Sequence, residues 1–190
     1  VNAEGLIEDI STLSGELVTD GNFSAEGVEL VTNGDFSNGA TGWTLGGQNL
    51  SISNGRGVST GSNFGAQFKQ TILTINKTYK LVFDIVDYTS GAIGLTSGYY
   101  GVTQTFNSAG THTAYFTSLN QTELRLYSEN FTGSIDNVSV KEVAADWTKS
   151  ASGATISGGS ANFNSSTDAF VLQGVLTVGK TYKATFSGTI

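Results

Sequence analysis

The 190-residue sequence has no cysteine, no proline and no methionine. Without cysteine there are neither disulfides nor thiolate metal sites, and nothing in the chain reports the redox state of its compartment. Without proline, every reversal of direction falls to Gly, Asn, Asp and Ser. Because Met is missing even at position 1, the sequence reads as an internal or processed piece of a longer chain. Charge is also scarce, at 13% of residues with a net charge of −7. The nine basic residues are scattered, whereas phosphate binding needs clustered Lys and Arg, so no nucleic-acid partner is expected. No apolar run reaches membrane-spanning length and no charged-then-apolar leader is seen, so neither membrane insertion nor a signal peptide is expected.

What remains is apolar and small. Hydrophobic residues make up 38% of the chain and 25 residues are Gly; that much apolar content with so little charge describes an ordered, turn-rich β protein. The opening VNAEGLIEDISTLSG places Leu6, Ile7, Ile10 and Leu13 on one helical face, as a short helix or a connector. From Glu29 the period becomes two. YKLVFDIVDY sets Leu81, Phe83 and Ile85 against Lys80, Val82 and Asp84, the alternation of a strand buried on one face. HTAYFTS, ELRLYSE and IDNVSVKEV read as further strands, with SNG, SGAIG and NSAG as turns between them. Many short strands separated by polar turns predict an all-β antiparallel sandwich.

The sequence also repeats itself. WTLGGQNLSISNGR (Trp43 to Arg56) recurs as WTKSASGATISGGS (Trp147 to Ser160), and LTINKTYKLVF (Leu73 to Phe83) as LTVGKTYKATF (Leu176 to Phe186). A spacing of about a hundred residues is that of a whole domain. We therefore expect a linker with a spare strand at 1–28, a complete sandwich at 29–143 and the front half of a second at 144–190. Half a sandwich leaves open sheet edges, so either the chain continues beyond Ile190 or another subunit completes it. A shorter echo precedes this: ELVTDGNFS (Glu16 to Ser24) anticipates ELVTNGDFS (Glu29 to Ser37). It can be a degenerate start left by duplication, the reading preferred on sequence alone, or a strand that pairs with the incomplete copy.

The ordered set LVTNGDFSNGATGWT, LTINKTYKLVFDI, GTHTAYFT and IDNVSVKEV resembles carbohydrate-binding modules of families 4, 9 and 22. It is more similar still to their versions in bacteriophage tail-fibre and virion proteins. The resemblance implies a jelly-roll sandwich that binds sugars without catalysis, often with a structural calcium near the joined first and last strands. Asp35 and Asp136 are the side chains at the matching places; both can equally serve as turn or strand-end caps. Trp43 reads as core or as a sugar platform. Tyr99 and Tyr100, adjacent on a strand, point to opposite faces, so one of them is free to form a platform. Gln104, Asn107 and Arg125 are candidates to bond sugar hydroxyls.

Signs of catalysis are missing. His112 is the single histidine and has no acid near it in sequence, which defeats a conventional Ser-His-Asp reading. Asp84 and Asp87 specify no cleft of the kind a paired-carboxylate glycosidase needs, and no Gly-rich stretch carries the Lys-Ser/Thr of a phosphate loop. The expectation is a non-catalytic protein of the virion surface. Its partners would be other virion subunits or further repeats, and host glycans. The alternative is a binding module of a secreted polysaccharide-degrading enzyme.

Overall fold

The computed structural model describes residues 15–61, 65–96, 103–150, 153–164 and 168–188. The helical reading of the first residues lies outside them, as do Tyr99 and Tyr100. The described residues form strands and turns only, built into an antiparallel β-sandwich of the jelly-roll class.

Nine strands form the main body. They are β1 (Glu26–Glu29), β2 (Thr44–Gly46), β3 (Leu50–Ser53), β4 (Arg56–Thr60), β5 (Gln67–Thr71), β6 (Thr78–Leu95), β7 (Gln104–Phe106), β8 (Gly110–Thr117) and β9 (Glu123–Val143). The SNG and NSAG segments are turns, as expected: Asn54 and Gly55 both take positive φ, 52° and 67°, which suits a two-residue hairpin between β3 and β4. SGAIG is not a turn. It lies inside β6, and ELRLYSE and IDNVSVKEV are likewise the two ends of one 21-residue strand, β9.

The long strands run through because bulges replace the expected turns. In β9 the inward-facing buried positions run Leu124, Leu126 and Ser128, then Phe131 and Ile135, then Val138 and Val140; Tyr127, Ser134 and Val143 are buried as well, Tyr127 on the opposite face. The alternation slips by one residue twice. At each slip stands an Asn in the left-handed region, Asn130 (φ 53°) and Asn137 (φ 51°). An extra residue in αL both re-aims the strand and bends it, and Asn tolerates that conformation better than other side chains. β6 answers with Gly91 (φ 75°), where an added Cβ would stand 2.2 Å from the Asn130 carbonyl oxygen. Only Gly fits there.

These bends fold the ribbon over on itself. The first half of β6 pairs with β8 and with the end of β9, whose other neighbour is β1. The second half pairs with β7 and with the start of β9, which continues through β5 to β2. The two walls meet through side chains: Phe106 of β7 packs edge-on against Phe83 of the opposite wall at 5.1 Å, and Gln104 Nε2 donates to the Tyr115 carbonyl of β8. Leu81, Phe83 and Ile85 are essentially inaccessible, and Phe68, Ile93, Leu95, Leu126 and Phe131 close the same core.

The NGDFS turn pins the first residues to this body. Asn33 and Phe36 both have positive φ. Trp43 is core: it is buried, stacks on Phe36 at 5.0 Å and donates its Nε1 proton to the Asn33 carbonyl at 2.9 Å. Thr32 exchanges two hydrogen bonds with the Gln70 side chain, and Glu29 Oε1 accepts from Val31 N and Val140 N.

The earlier echo makes the same contacts with the later part of the chain. Phe23 packs on Trp147 at 4.8 Å, and Trp147 Nε1 donates to the Asp20 carbonyl at 3.0 Å. Thr19 exchanges hydrogen bonds with the Gln173 side chain as Thr32 does with Gln70. The ELVTDGNFS stretch, which is in no strand itself, is thus engaged with the later part of the chain. Short ladders follow it: β10 (Thr148–Lys149) with β13 (Val171–Leu172), and β11 (Ala154–Ser157) with β12 (Ser160–Phe163).

Candidate functional site

The expected ligand residues do not form one site. Leu95 of β6 pairs with Gln104 on one side and Leu126 on the other, so Gln104 shares the inward face with Leu126. Arg125, one residue earlier on β9, points to the outer face, because successive side chains alternate. Asn107 is exposed in the turn before β8. Gln104 is spent on bonding the opposite wall. Of the three, only Arg125 is aimed outward from a central strand. Tyr99 and Tyr100 lie outside the described residues, but the ends of their segment, Thr96 and Thr103, sit beside this region: Thr103 N donates to the Leu95 carbonyl at 2.8 Å.

Around Arg125 the register assembles an outer face that spans five strands. Lys69 of β5 stands opposite Arg125, and Glu123 opposite Thr71. In the next row Gly46, Gln67, Tyr127, Gly94 and Thr105 lie side by side across β2, β5, β9, β6 and β7. The two glycines put no side chain of their own on either side of the Gln67–Tyr127 pair. An added Cβ at Gly46 would stand 3.0 Å from Gln67 Cγ, so the Gln67 side chain lies over that glycine.

The polar groups on this face are held by one another. Glu123 takes an ion pair from Arg125 and a second, at 3.4 Å, from Lys69. Arg125 Nη1 also donates to the Tyr127 hydroxyl at 3.3 Å. The Arg125 hydrogen bond keeps the Glu123 carboxyl below its usual range despite partial burial, with Lys69 adding to the effect. Gln67 Oε1 is the exception: it is buried and has no hydrogen-bond partner. Buried acceptors are almost always satisfied in folded proteins.

Glu123, Tyr127, Gln67 and Lys69 were not picked out from the sequence. The signal was present in ELRLYSE, whose alternation puts Glu123, Arg125 and Tyr127 on one face. What it lacked was the knowledge that this strand is central and flanked by glycines.

The two carboxylates expected at a metal are engaged locally. Asp35 Oδ1 accepts from Ser37 N (3.2 Å) and Ser37 Oγ (2.9 Å), which holds its pKa below the ordinary value. Asp136 Oδ1 accepts from Asn137 N at 2.7 Å. Their elements do meet: Val138 N donates to the Gly34 carbonyl at 2.9 Å. Among the described residues no group of three or more His, Cys, Asp or Glu is arranged for a metal. Calcium takes six to eight oxygens, so these side chains make a calcium site only together with backbone carbonyls.

His112 has a packing role. Its ring lies 5.5 Å from Phe83 and 5.2 Å from Phe106, and Nε2 pairs with the Ser108 carbonyl at 2.8 Å. Asp84 is occupied by Thr111 and Asn137, and Asp87 by Ser134 and Arg56.

No family profile matches the chain, and no curated protein matches it. Among solved structures, one titled "CBM4 structure and function" aligns at 21% identity, covering 65% of this chain and 98% of its own, with a TM-score of 0.35. Another, titled "BiXyn10A CBM1 APO", aligns at 15% identity, covering 64% of this chain and 92% of its own, with a TM-score of 0.36.

Proposed function

We propose that the chain is a non-catalytic adhesion module of a virion surface, binding glycans weakly and many at a time through the outer face around Arg125. The observation that carries the glycan reading is the buried, unpartnered Gln67 Oε1 beside the Arg125–Glu123–Tyr127 row. A sugar hydroxyl donating to it would restore a missing hydrogen bond once the Gln67 side chain swings off Gly46, and the Arg125 guanidinium, held by Glu123 and Tyr127, would orient a second hydroxyl. The resemblance of the sequence motifs to carbohydrate-binding modules supports the same ligand class. Its similarity to phage versions supports the virion setting. Few contacts on a shallow face give low affinity per module, and display in many copies raises avidity through effective concentration.

The test is a glycan array probed with the chain multimerised on beads. Binding is expected, with loss of signal in Gln67→Ala and in Arg125→Ala, and in one of Tyr99→Ala and Tyr100→Ala. Absence of any signal from the unaltered chain would make it a spacer. Recovery of the polypeptide from purified virus particles, in many copies, is the expected localisation. Recovery instead as part of a secreted polysaccharide-degrading enzyme would replace the virion reading and leave the glycan reading standing.

Calcium is part of the same proposal: Asp35 and Asp136, with backbone carbonyls of the NGDFS turn and β9, would hold one ion. A ligand bound only by the native state raises stability, so chelator should lower the melting temperature. An unchanged melting temperature removes calcium and leaves the sugar face untouched.

A further inference from the structure

We infer that the outer face around Arg125 selects acidic glycans and seats the anionic group of the sugar on Lys69; this rests on the glycan reading of that face and names its ligand class. The inference starts from a charge count. Outward positions on β5 and β9 alternate with buried ones, and the charged side chains they bring together are Lys69, Arg125 and Glu123. Two cations meet one carboxylate, a local excess of one positive charge in a chain whose net charge is −7. Glu123 is held below its usual range, so the count is the same across neutral pH. The next acid outward along β9 is Glu129, four residues from Arg125. At ~3.4 Å per residue that is about 13 Å, beyond the Debye length of ~8 Å at physiological salt. Residues 62–64 and 97–102, in the segments leading to this face, include no charged residue.

Elsewhere in the nine-strand body the cations are balanced. Arg56 pairs with Asp87, and Lys77 with Glu142. Lys80 and Lys141 share Glu26, but Glu29 stands opposite Lys141 and evens the count. Lys69 differs from all of these. It reaches Glu123 only at 3.4 Å, and among the described residues its Nζ meets no other acceptor. An ammonium carries three N–H donors, so at least two remain for a ligand, on a side chain that is 26% exposed.

The spacing suits one sugar ring. Lys69 and Gln67 are successive outward positions of β5, about 6.6–7 Å apart. That is comparable with the reach from an anionic substituent of a pyranose to its far hydroxyls. The charged group can therefore sit against Lys69 while a hydroxyl meets Gln67, with Arg125 and Tyr127 alongside them on β9. Charge complementarity of this kind adds specificity more than affinity.

The test presents the 190-residue chain, multimerised on beads, with matched glycan pairs: hexuronate polymers and their methyl esters, and sulfated glycans and their desulfated forms. The two pairs distinguish a carboxylate from a sulfate as the anionic group. At low salt the charged member of at least one pair should bind about tenfold more tightly than its neutral counterpart, and about 0.5 M salt should remove most of that difference. Lys69→Gln should abolish the preference, whereas Lys141→Gln, at the β1 edge, should leave it intact. Glu123→Gln keeps an acceptor for Arg125 while removing the competing negative charge, so it should widen the preference. Retained binding of the neutral glycans shows that each variant is folded. Equal binding of charged and neutral members overturns the inference and leaves the glycan reading standing. A preference that survives Lys69→Gln, falls equally in Lys141→Gln, or narrows in Glu123→Gln overturns it as well. Binding of no glycan at all removes the glycan reading and this inference with it.

Discussion

Phe83 and Phe186 form a natural internal experiment, because one sequence context is buried in one place and bare in the other. Phe83 is 0% exposed and packs edge-on against Phe106 at 5.1 Å. Truncating a fully buried Phe to Ala costs about 3–5 kcal/mol, through lost transfer energy and the cavity left behind. The edge-on pair accounts for about 0.5–1.5 kcal/mol within that range. Phe186, at 93% exposure, has almost no burial to lose, so Phe186→Ala should change stability by less than about 0.5 kcal/mol. The assay is urea unfolding followed by Trp43 fluorescence in a Trp147→Phe background. With a slope of about 2 kcal/mol per molar urea, Phe83→Ala should move the midpoint down by roughly 2 M. The slope itself should stay constant. Equal costs for the two substitutions, or a midpoint shift for Phe83→Ala below about 0.5 M, would refute the burial argument.

Gly91→Ala should destabilise by about 2 kcal/mol or more, since it combines a left-handed φ with a backbone clash at 2.2 Å from the Asn130 carbonyl; thermal unfolding checks it. Gly110→Ala is the control, because a Cβ there meets nothing within 4 Å and only the φ strain remains. Acid should destabilise the fold. Glu26 is held below its ordinary value of 4.5 chiefly by hydrogen bonds from Lys80 and then Lys141, and Glu123 chiefly by Arg125. Groups with depressed native pKa values contribute stability above their unfolded values that is lost as pH falls through the native ones. Melting temperature should therefore hold steady above roughly pH 5 and drop below about pH 4.5. In Glu123→Gln the drop should be shallower from a lower plateau, and an identical pH profile would show that Glu123 does not take part.

The inward faces were legible because burial imposes a period of two on sequence, and Leu81, Phe83 and Ile85 kept it. The continuity of β6 and β9 was not. Asn130, Asn137 and Gly91 use the left-handed conformation that a turn also needs, so a bulge inside a strand and a turn between strands leave the same residues behind. The same limit hid the site. Glu123, Arg125 and Tyr127 are visibly on one face of one strand. That Gln67 lies beside them, with Gly46 and Gly94 at the flanks, depends on which strands pair, and pairing is a long-range property. Gln104 is of the same kind: its polarity alone does not tell that its amide bonds the Tyr115 carbonyl on the other wall of the sandwich.

The repeated ELVT phrase carries that limit one step further. Asp20, Phe23 and Ser24 make nearly the same local bonds as Asn33, Phe36 and Ser37: Ser24 Oγ donates to Asn22 Oδ1 at 2.8 Å, and Ser37 Oγ to Asp35 Oδ1 at 2.9 Å. Local sequence therefore dictated the turn twice and dictated it correctly. It could not say which tryptophan each turn would serve, because both turns offer the same carbonyl and the same ring. Connectivity decides that. The NGDFS turn is followed closely by Trp43, which occupies it first, since closing a short loop costs less entropy than closing a long one. Trp147 is left for the DGNFS turn, across the whole nine-strand sandwich, and the adjacency of Ala25 and Ala144 shortens that distance once that sandwich has folded. The expected folding order follows from this: the nine-strand sandwich should form before Phe23 meets Trp147. A variant that prevents it, such as one with Asp at both Phe83 and Phe131, should lose the Phe23–Trp147 contact even though neither partner has been altered, and an unchanged Trp147 emission in that variant would contradict the sequence of events.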